Sequence, residues 1–253
     1  MRQSLTRADE HHLLIRSLAV DYSAGGREDV HSHPWPQFLY AQAGAIRAEI
    51  GRSIWTLPTR RGLWIPAHTP HRLSMSSRLQ LRTLYIRPDL AIAERPTGVV
   101  QVSGLLHEAI LRVCERGALD ARDDAGRSLA TIIMAEIAVA ERGPITLLWP
   151  DDRRAARLAD LLLRADCAGV SLNALCARAG LSRRTAERVF HDECGISPAR
   201  WRRYAALSEG LVSIAGGGTI DDAASVAGYQ SRSAFSEAFS AAFGFPPSGA
   251  RLG

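Results

Sequence analysis

The last hundred residues of this chain spell out one short helical pattern twice, and that repetition is its strongest constraint on fold. In the first copy Ser171 is placed to cap a helix over 172–177, a turn with Gly180 follows, and Ser182 caps a second helix over 183–192. In the second, Thr219 with Asp222 three residues on makes a capping-box start, Gly228-Tyr229 forms the turn, and Ser231 caps a helix over 232–242. Helix, glycine turn and helix, met twice, predict two helix-turn-helix units.

In such a unit the second helix enters the major groove and offers its exposed N-terminal face to base edges. The apolar positions Ala186, Val189 and Phe190 define a buried face, which leaves Arg183, Arg184, Glu187 and Arg188 outward. In the second unit Ala234, Phe235, Ala238 and Phe239 are expected inward, leaving Arg232, Ser233, Ser236 and Glu237 outward. Arginine grips guanine in a bidentate manner and glutamate accepts from cytosine, so both are plausible readers of base edges. The charge agrees. All 31 basic residues are arginine, and from Arg178 to Arg203 seven of them stand against three acids. That local excess of positive charge suits a phosphate backbone. Two reading helices about 34 Å apart would cover roughly two turns of duplex.

Several spacings then become specific. Gly180-Leu181-Ser182, Arg188-xx-His191, Gly195-Ile196-Ser197-Pro198-xx-Trp201, Ile220-xx-Ala223-xxx-Ala227-Gly228-Tyr229-x-Ser231, and Phe235-xxx-Phe239-xxx-Phe243-Gly244-Phe245-Pro246-Pro247-xxx-Arg251 resemble the DNA-binding domain of AraC-type transcriptional regulators. The resemblance implies base contacts from Arg184, Glu187 and Arg188, then from Arg232, Ser233, Ser236 and Glu237. The chain departs from the pattern at Ala206 and Gly210 in the joining helix, where the family usually carries arginine and alanine. A mid-helix glycine is expected to cost about 1 kcal/mol. The run Gly216-Gly217-Gly218 is expected to loosen entry to the second unit.

Up to about residue 95 the pattern is short and strand-like, punctuated by Gly25-Gly26, Gly44, Gly51, Pro58, Pro66 and Pro70, which predicts an antiparallel barrel or sandwich. Here Gly26-x4-His31-Ser32-His33-x3-Gln37-x6-Gly44 and Pro66-Ala67-His68-Thr69-Pro70-His71 resemble the two motifs of the cupin barrel. His31 and His33, two apart on a strand, would face one side. With Gln37 and His71 from neighbouring strands they would bind a divalent ion such as zinc or nickel, or line a pocket for an organic effector without metal. Gln37 stands where cupins usually have glutamate, which removes a negative charge from the site. His68 is one position off register and reads as a turn residue, and Trp35, Phe38 and Trp64 are candidates for the pocket wall.

Between these parts, Leu105, Leu106, Ile110 and Val113 form one helical stripe, and Leu129, Ile132, Ile133, Ile137 and Val139 another. A small barrel is not expected to bury both, so part of this surface is expected to meet a second copy of the chain, the alternative being an ordinary intradomain cover. Gly143-Pro144 and Trp149-Pro150 then mark a boundary. The expected class is thus α+β with two domains: a cupin-like antiparallel β-barrel over 1–98, a helical linker and dimerisation segment over 99–149, and an all-α double helix-turn-helix domain over 150–253.

Four scattered cysteines without a CxxC pair read as small buried hydrophobes, and no apolar run is long enough to span a bilayer, so a cytoplasmic protein is expected. The expected function is a sequence-specific transcription regulator, not an enzyme, with double-stranded DNA, a small-molecule or metal effector and a homodimer partner, and with RNA polymerase if it activates. The alternatives are a cupin metalloenzyme with a helical cover and an effector-independent DNA-binding protein.

Overall fold

The computed structural model describes residues 11–75, 78–90, 95–140, 146–164, 167 and 169–250. The expected break at Gly143-Pro144 and the motif residue Arg251 lie outside the described residues.

Eleven strands are described in two antiparallel sheets. The first runs in the order β10 (Ala118–Asp120), β1 (Leu13–Tyr22), β8 (Leu79–Ile86), β3 (Gln37–Ala43), β6 (Arg61–Ile65) and β9 (Gly98–Gln101). The second runs β11 (Thr146–Leu148), β5 (Ser53–Leu57), β4 (Ile46–Ile50), β7 (His71–Met75) and β2 (Gly26–Arg27). Leu39, Ala41, Ile46, Ala48, Leu63 and Leu73 fill the space between the sheets. The expected cupin-like antiparallel barrel is therefore present as two facing sheets.

The opposite face of the first sheet is not solvated. Phe38, Tyr40, Trp64 and Leu84 lie beneath two helices, α1 (Gly104–Arg116) and α2 (Asp124–Val139), which contribute Leu106, Ile110, Val113, Ile133 and Ile137. This corrects one sequence expectation. Phe38 and Trp64 do not line the barrel interior: strand alternation turns them outward, opposite to Gln37, Leu39 and Leu63, into the helix–sheet layer. Most of both helical stripes is also buried within the chain, because one sheet face accommodates both helices. Leu105 (56%), Ile132 (40%) and Val139 (78%) remain exposed.

The segment between the barrel and the C-terminal helices adds strands as well as helices. β10 extends the first sheet from β1, and β11 extends the second from β5. β11 also seats the helical domain. Leu147 joins Leu158, Leu175, Phe190 and Trp201 in one core, and the Trp201 indole donates to the Leu148 carbonyl at 2.8 Å.

The helical domain comprises α3 (Arg153–Leu163), α4 (Leu172–Ala179), α5 (Arg183–Cys194), α6 (Pro198–Ala215), α7 (Ile220–Val226) and α8 (Arg232–Phe243). The four expected caps all form: Ser171, Ser182 and Ser231 accept from backbone amides three residues on, and Thr219 and Asp222 close a capping box. Gly180 and Gly228 make the two turns at φ +77° and +76°, a conformation that disfavours any Cβ.

Gly210 has a packing role that its helix propensity hides. A Cβ there would meet the Phe235 ring at 2.9 Å and the Ala223 carbonyl at 3.1 Å, so the glycine lets α6 approach α7 and α8 closely. The expected loosening at the glycine run is likewise not a simple one, since a Cβ on Gly218 would meet Ser213 Oγ at 2.7 Å. Three of the four cysteines are buried, and all four are free.

Candidate functional site

On α5, Ala186, Val189 and Phe190 face the core, as the spacing requires. Arg183, Arg184 and Arg188 are exposed and Glu187 is half-buried. These side chains are not equivalent. Arg183 Nε donates to Glu187 Oε1 at 2.7 Å, so those two neutralise one another across one helical turn. Arg188 stands 3.6 Å from Asp192. Among the described residues Arg184 makes no hydrogen bond or ion pair, and its guanidinium is available to an outside acceptor.

On α8, Phe235 and Phe239 are buried, while Arg232, Ser233 and Glu237 are exposed and Ser236 is half-buried. Ala234, expected inward, is exposed, because the two phenylalanines alone fix the buried face of the first turns and Ala234 lies off their line. The outer face of α8 is thus small and weakly charged, whereas that of α5 is arginine-rich.

The second constellation lies in the barrel. His31 and His71 form an isolated antiparallel bridge, each amide donating to the other's carbonyl at 3.0 and 2.9 Å. The His68 amide donates to the His33 carbonyl at 2.8 Å from a turn with φ +58°, which holds the two motif loops together and makes His68 the turn residue expected. One ring nitrogen from each of His31, His33 and His71 falls within a group spanning 4.8 Å. Ring centroids are 4.3 Å apart for His31 and His71 and 5.1 Å for His33 and His71.

The hydrogen bonds orient all three rings alike. His31 Nδ1 lies 3.0 Å from the Asp29 carbonyl, His33 Nδ1 2.6 Å from that of Trp35, and His71 Nδ1 2.8 Å from that of Thr69. A carbonyl oxygen only accepts, so each Nδ1 carries a proton, and in the neutral ring Nε2 is left with a lone pair. His71 Nε2 is buried and has no partner. This is the arrangement of metal-binding imidazoles, whose second nitrogen is fixed by a carbonyl. Burial pushes the His71 ring down to about 4 and lowers His33 as well, so both stay neutral, ligand-competent imidazoles near pH 7.

Gln37 is buried beside them. Its Oε1 lies 2.8 Å from His33 Nε2, and its amide nitrogen donates to Thr83 Oγ1 at 3.0 Å and Tyr85 Oη at 3.4 Å. Both nitrogens of His33 therefore face oxygen acceptors. A cation on the Nε2 side, or the amide turned so that its NH2 meets the ring, satisfies what a neutral ring alone does not. The donor set thus fits a divalent ion with three nitrogen ligands and an open fourth position. Trp35 enters through its backbone carbonyl, and its side chain is half-buried.

Three side chains that the sequence reading did not single out complete the surroundings. Tyr85 packs edge-on against His33 at 5.0 Å, Tyr22 Oη donates to Glu28 Oε1 at 2.6 Å, and Glu28 Oε2 lies 3.9 Å from His31 Nε2. Glu28 sits just beyond the two-residue strand β2, whose pairing with β7 no local pattern announces.

Two family models match this chain. An AraC-like ligand binding domain covers residues 18–121, and a helix-turn-helix domain covers residues 175–252. The HTH-type transcriptional regulator NimR of Escherichia coli strain K12 is 24% identical over 242 residues, which is 94% of this chain and 88% of NimR. Among solved structures, unsaturated fatty acid-bound ToxT from Vibrio cholerae strain SCE256 aligns over 96% of both chains at 10% identity and a TM-score of 0.40. A cupin superfamily protein from Desulfitobacterium hafniense aligns over 33% of this chain and 73% of its own, at 13% identity and a TM-score of 0.29. With an AraC-like ligand binding domain matched ahead of a helix-turn-helix domain, the chain carries in order the sensor and reader domains of an AraC-type transcriptional regulator.

Proposed function

We propose that this regulator reads an operator with the outer faces of α5 and α8, and that the occupancy of its barrel at His31, His33 and His71 adjusts that reading. The observation that carries the first half is the asymmetric pair of reading helices. Arg184 and Arg188 project from a helix whose other face is fully buried, and Arg232, Ser233, Ser236 and Glu237 occupy the corresponding helix of the second unit. Affinity then comes mainly from α5, and α8 adds contacts of lower charge.

The second half rests on three imidazoles whose ring nitrogens converge, His33 and His71 buried and His31 half-buried, with the buried His71 Nε2 unpartnered. A zinc, nickel or similar ion, when bound, would offer an open position to water or to a donor atom of a small effector. His31, His33 and His71 would hold the ion, the Trp35 carbonyl would fix the His33 ring through Nδ1, and Gln37, donating to Thr83 and Tyr85, would stand beside the ion. An effector changes DNA affinity only through its different affinity for the two arrangements of the chain.

In this reading residues 1–98 and 150–253 act as sensor and reader. Residues 99–149 join them, and β9, β10 and β11 tie that segment to the barrel sheets. A second copy meets the chain at the exposed Leu105, Ile132 and Val139 of the covering helices, and RNA polymerase is a further partner if the protein activates. A cytoplasmic, non-catalytic role completes the reading, and among the described residues no helix is long and apolar enough to cross a membrane.

The experiment is fluorescence anisotropy with labelled DNA from upstream of the protein's own gene, with metal-stripped and zinc-loaded protein. Sequence-selective binding that weakens steeply with salt is expected, with an affinity that differs between the two forms. Binding that is indifferent to sequence would overturn the operator reading, and identical curves for the two forms would overturn the sensing role of the ion.

A further inference from the structure

A divalent ion held by three neutral imidazoles keeps its full charge in a place where His33 and His71 are buried and His31 is half-exposed, and Gln37 offers no anion on β3 to offset it. The structure holds a carboxylate at the rim of the same group, from a different strand. Glu28 follows β2, and its amide donates to the Leu73 carbonyl at 2.9 Å, which ties it to β7 two residues from His71. Tyr22, on the neighbouring edge of the barrel, donates its hydroxyl to Oε1 at 2.6 Å. The other oxygen, Oε2, then stands 3.9 Å from the lone-pair nitrogen of His31. That is too long for a hydrogen bond. Two donors that each lie about 2.1 Å from one ion stand roughly 3 to 4 Å apart, so the separation suits two ligands of a shared cation.

Resting on the metal reading above, we propose that Glu28 supplies the anionic fourth ligand of a His31, His33, His71 and Glu28 centre for a divalent transition-metal ion. The carboxylate that cupins usually carry at the position of Gln37 is then replaced from the edge strand β2, and Tyr22 positions it. Gln37 stays neutral, anchored to Thr83 and Tyr85 through its nitrogen, and its oxygen lies 2.8 Å from His33 Nε2, on the side where the ion would sit.

The test is a cobalt titration of full-length, tag-free, metal-stripped protein, read by the visible absorption of bound Co2+ and by competition with a chelator. One Co2+ per chain is expected for the wild type. Glu28→Gln is expected to bind about 10- to 100-fold more weakly with an altered visible band, while its metal-free unfolding midpoint stays that of the wild type. Tyr22→Phe, which leaves the carboxylate in place but unheld, is expected to give a smaller loss with a shifted band, and it carries the test if Glu28→Gln does not fold. Unchanged affinity and band in Glu28→Gln, or in Tyr22→Phe where that variant carries the test, overturns the role of Glu28 while the three-histidine site stands. No cobalt uptake by the wild type, or uptake unchanged in His71→Ala, overturns both.

Discussion

Arg52 of the barrel reaches Glu193 at the end of α5 across the boundary between sensor and reader, 3.6 Å between the facing nitrogen and oxygen. The same guanidinium donates to the Trp149 carbonyl at 2.9 Å and pairs with Asp151 at 2.6 Å, while Glu193 accepts from the Asp151 and Asp152 amides that open α3. One arginine at the two-residue tip of the β4–β5 hairpin thus holds the far end of the first reading helix. Two residues before it, Ile50 is registered directly opposite His71.

The hairpin therefore gives the histidine site a short mechanical route to the reading head. Arg52 is half-exposed, so its ion pairs contribute under about 1 kcal/mol each and Arg52→Ala should fold normally. Its effect belongs on coupling. The difference in operator affinity between metal-stripped and zinc-loaded protein should shrink in Arg52→Ala, and amide exchange at the end of α5 should quicken. A variant with the full difference and unaltered exchange would show that the route lies elsewhere.

Arg184→Ala and Arg188→Ala should each weaken operator binding by about 1–3 kcal/mol, since a bidentate contact to guanine is of that size. The two should differ from Arg183→Ala. Removing Arg183 also frees Glu187, its partner at 2.7 Å, so a carboxylate is left facing the groove and non-specific binding should suffer along with specific binding. Anisotropy against matched operator and scrambled duplexes separates these cases. Equal, sequence-independent losses in all three variants would reduce the arginines to phosphate contacts.

Much of the reader was legible because its signals are local. Ser182 and Ser231 cap helices from one residue away, and the spacing of Phe235 and Phe239 marks a buried face without reference to any other element. The barrel hid more. β3 is buried on both sides, Leu39 inward and Phe38 under α1 and α2, so apolar character could not say which face met the pocket, and Phe38 and Trp64 were expected on the wrong one. Glu28 was invisible for another reason. It approaches His31 only because a two-residue strand pairs with β7, and no periodicity exists over two residues.

Acid stability offers a check on the helix–sheet layer. His107 of α1 accepts or shares the hydroxyl proton of the buried Tyr40 at 2.7 Å, and burial first, then the nearby Arg60, lowers its proton affinity in the fold. Glu108 acts in the opposite direction. A folded-state value below the unfolded value near 6.5 means that the unfolded chain binds more protons, so this contribution is complete above that pH and is lost as pH falls through and below it. Denaturant unfolding of His107→Gln should therefore show a flatter pH profile on the acid side than the wild type, with His33 and His71 supplying the slope common to both. Parallel profiles would remove His107 from the account.

Gly210 sets helix propensity against packing, and the magnitudes decide the sign. On propensity alone Gly210→Ala should stabilise α6 by about 1 kcal/mol. The added Cβ, however, would stand 2.9 Å from the ring of Phe235, a fully buried side chain, and 3.1 Å from the backbone oxygen of Ala223. Phe235 is hemmed in by Tyr229 and Phe239, at ring separations of 5.8 and 5.5 Å, and the backbone of α7 cannot turn aside as a side chain can. Overpacking of this kind costs about 1–3 kcal/mol, which exceeds the gain. Gly210→Ala should thus lower the unfolding midpoint, and the loss should be relieved by Phe235→Leu in the same chain, since the smaller side chain vacates the contact. An alanine variant more stable than the wild type would mean that α6 and α8 stand farther apart than the close approach described.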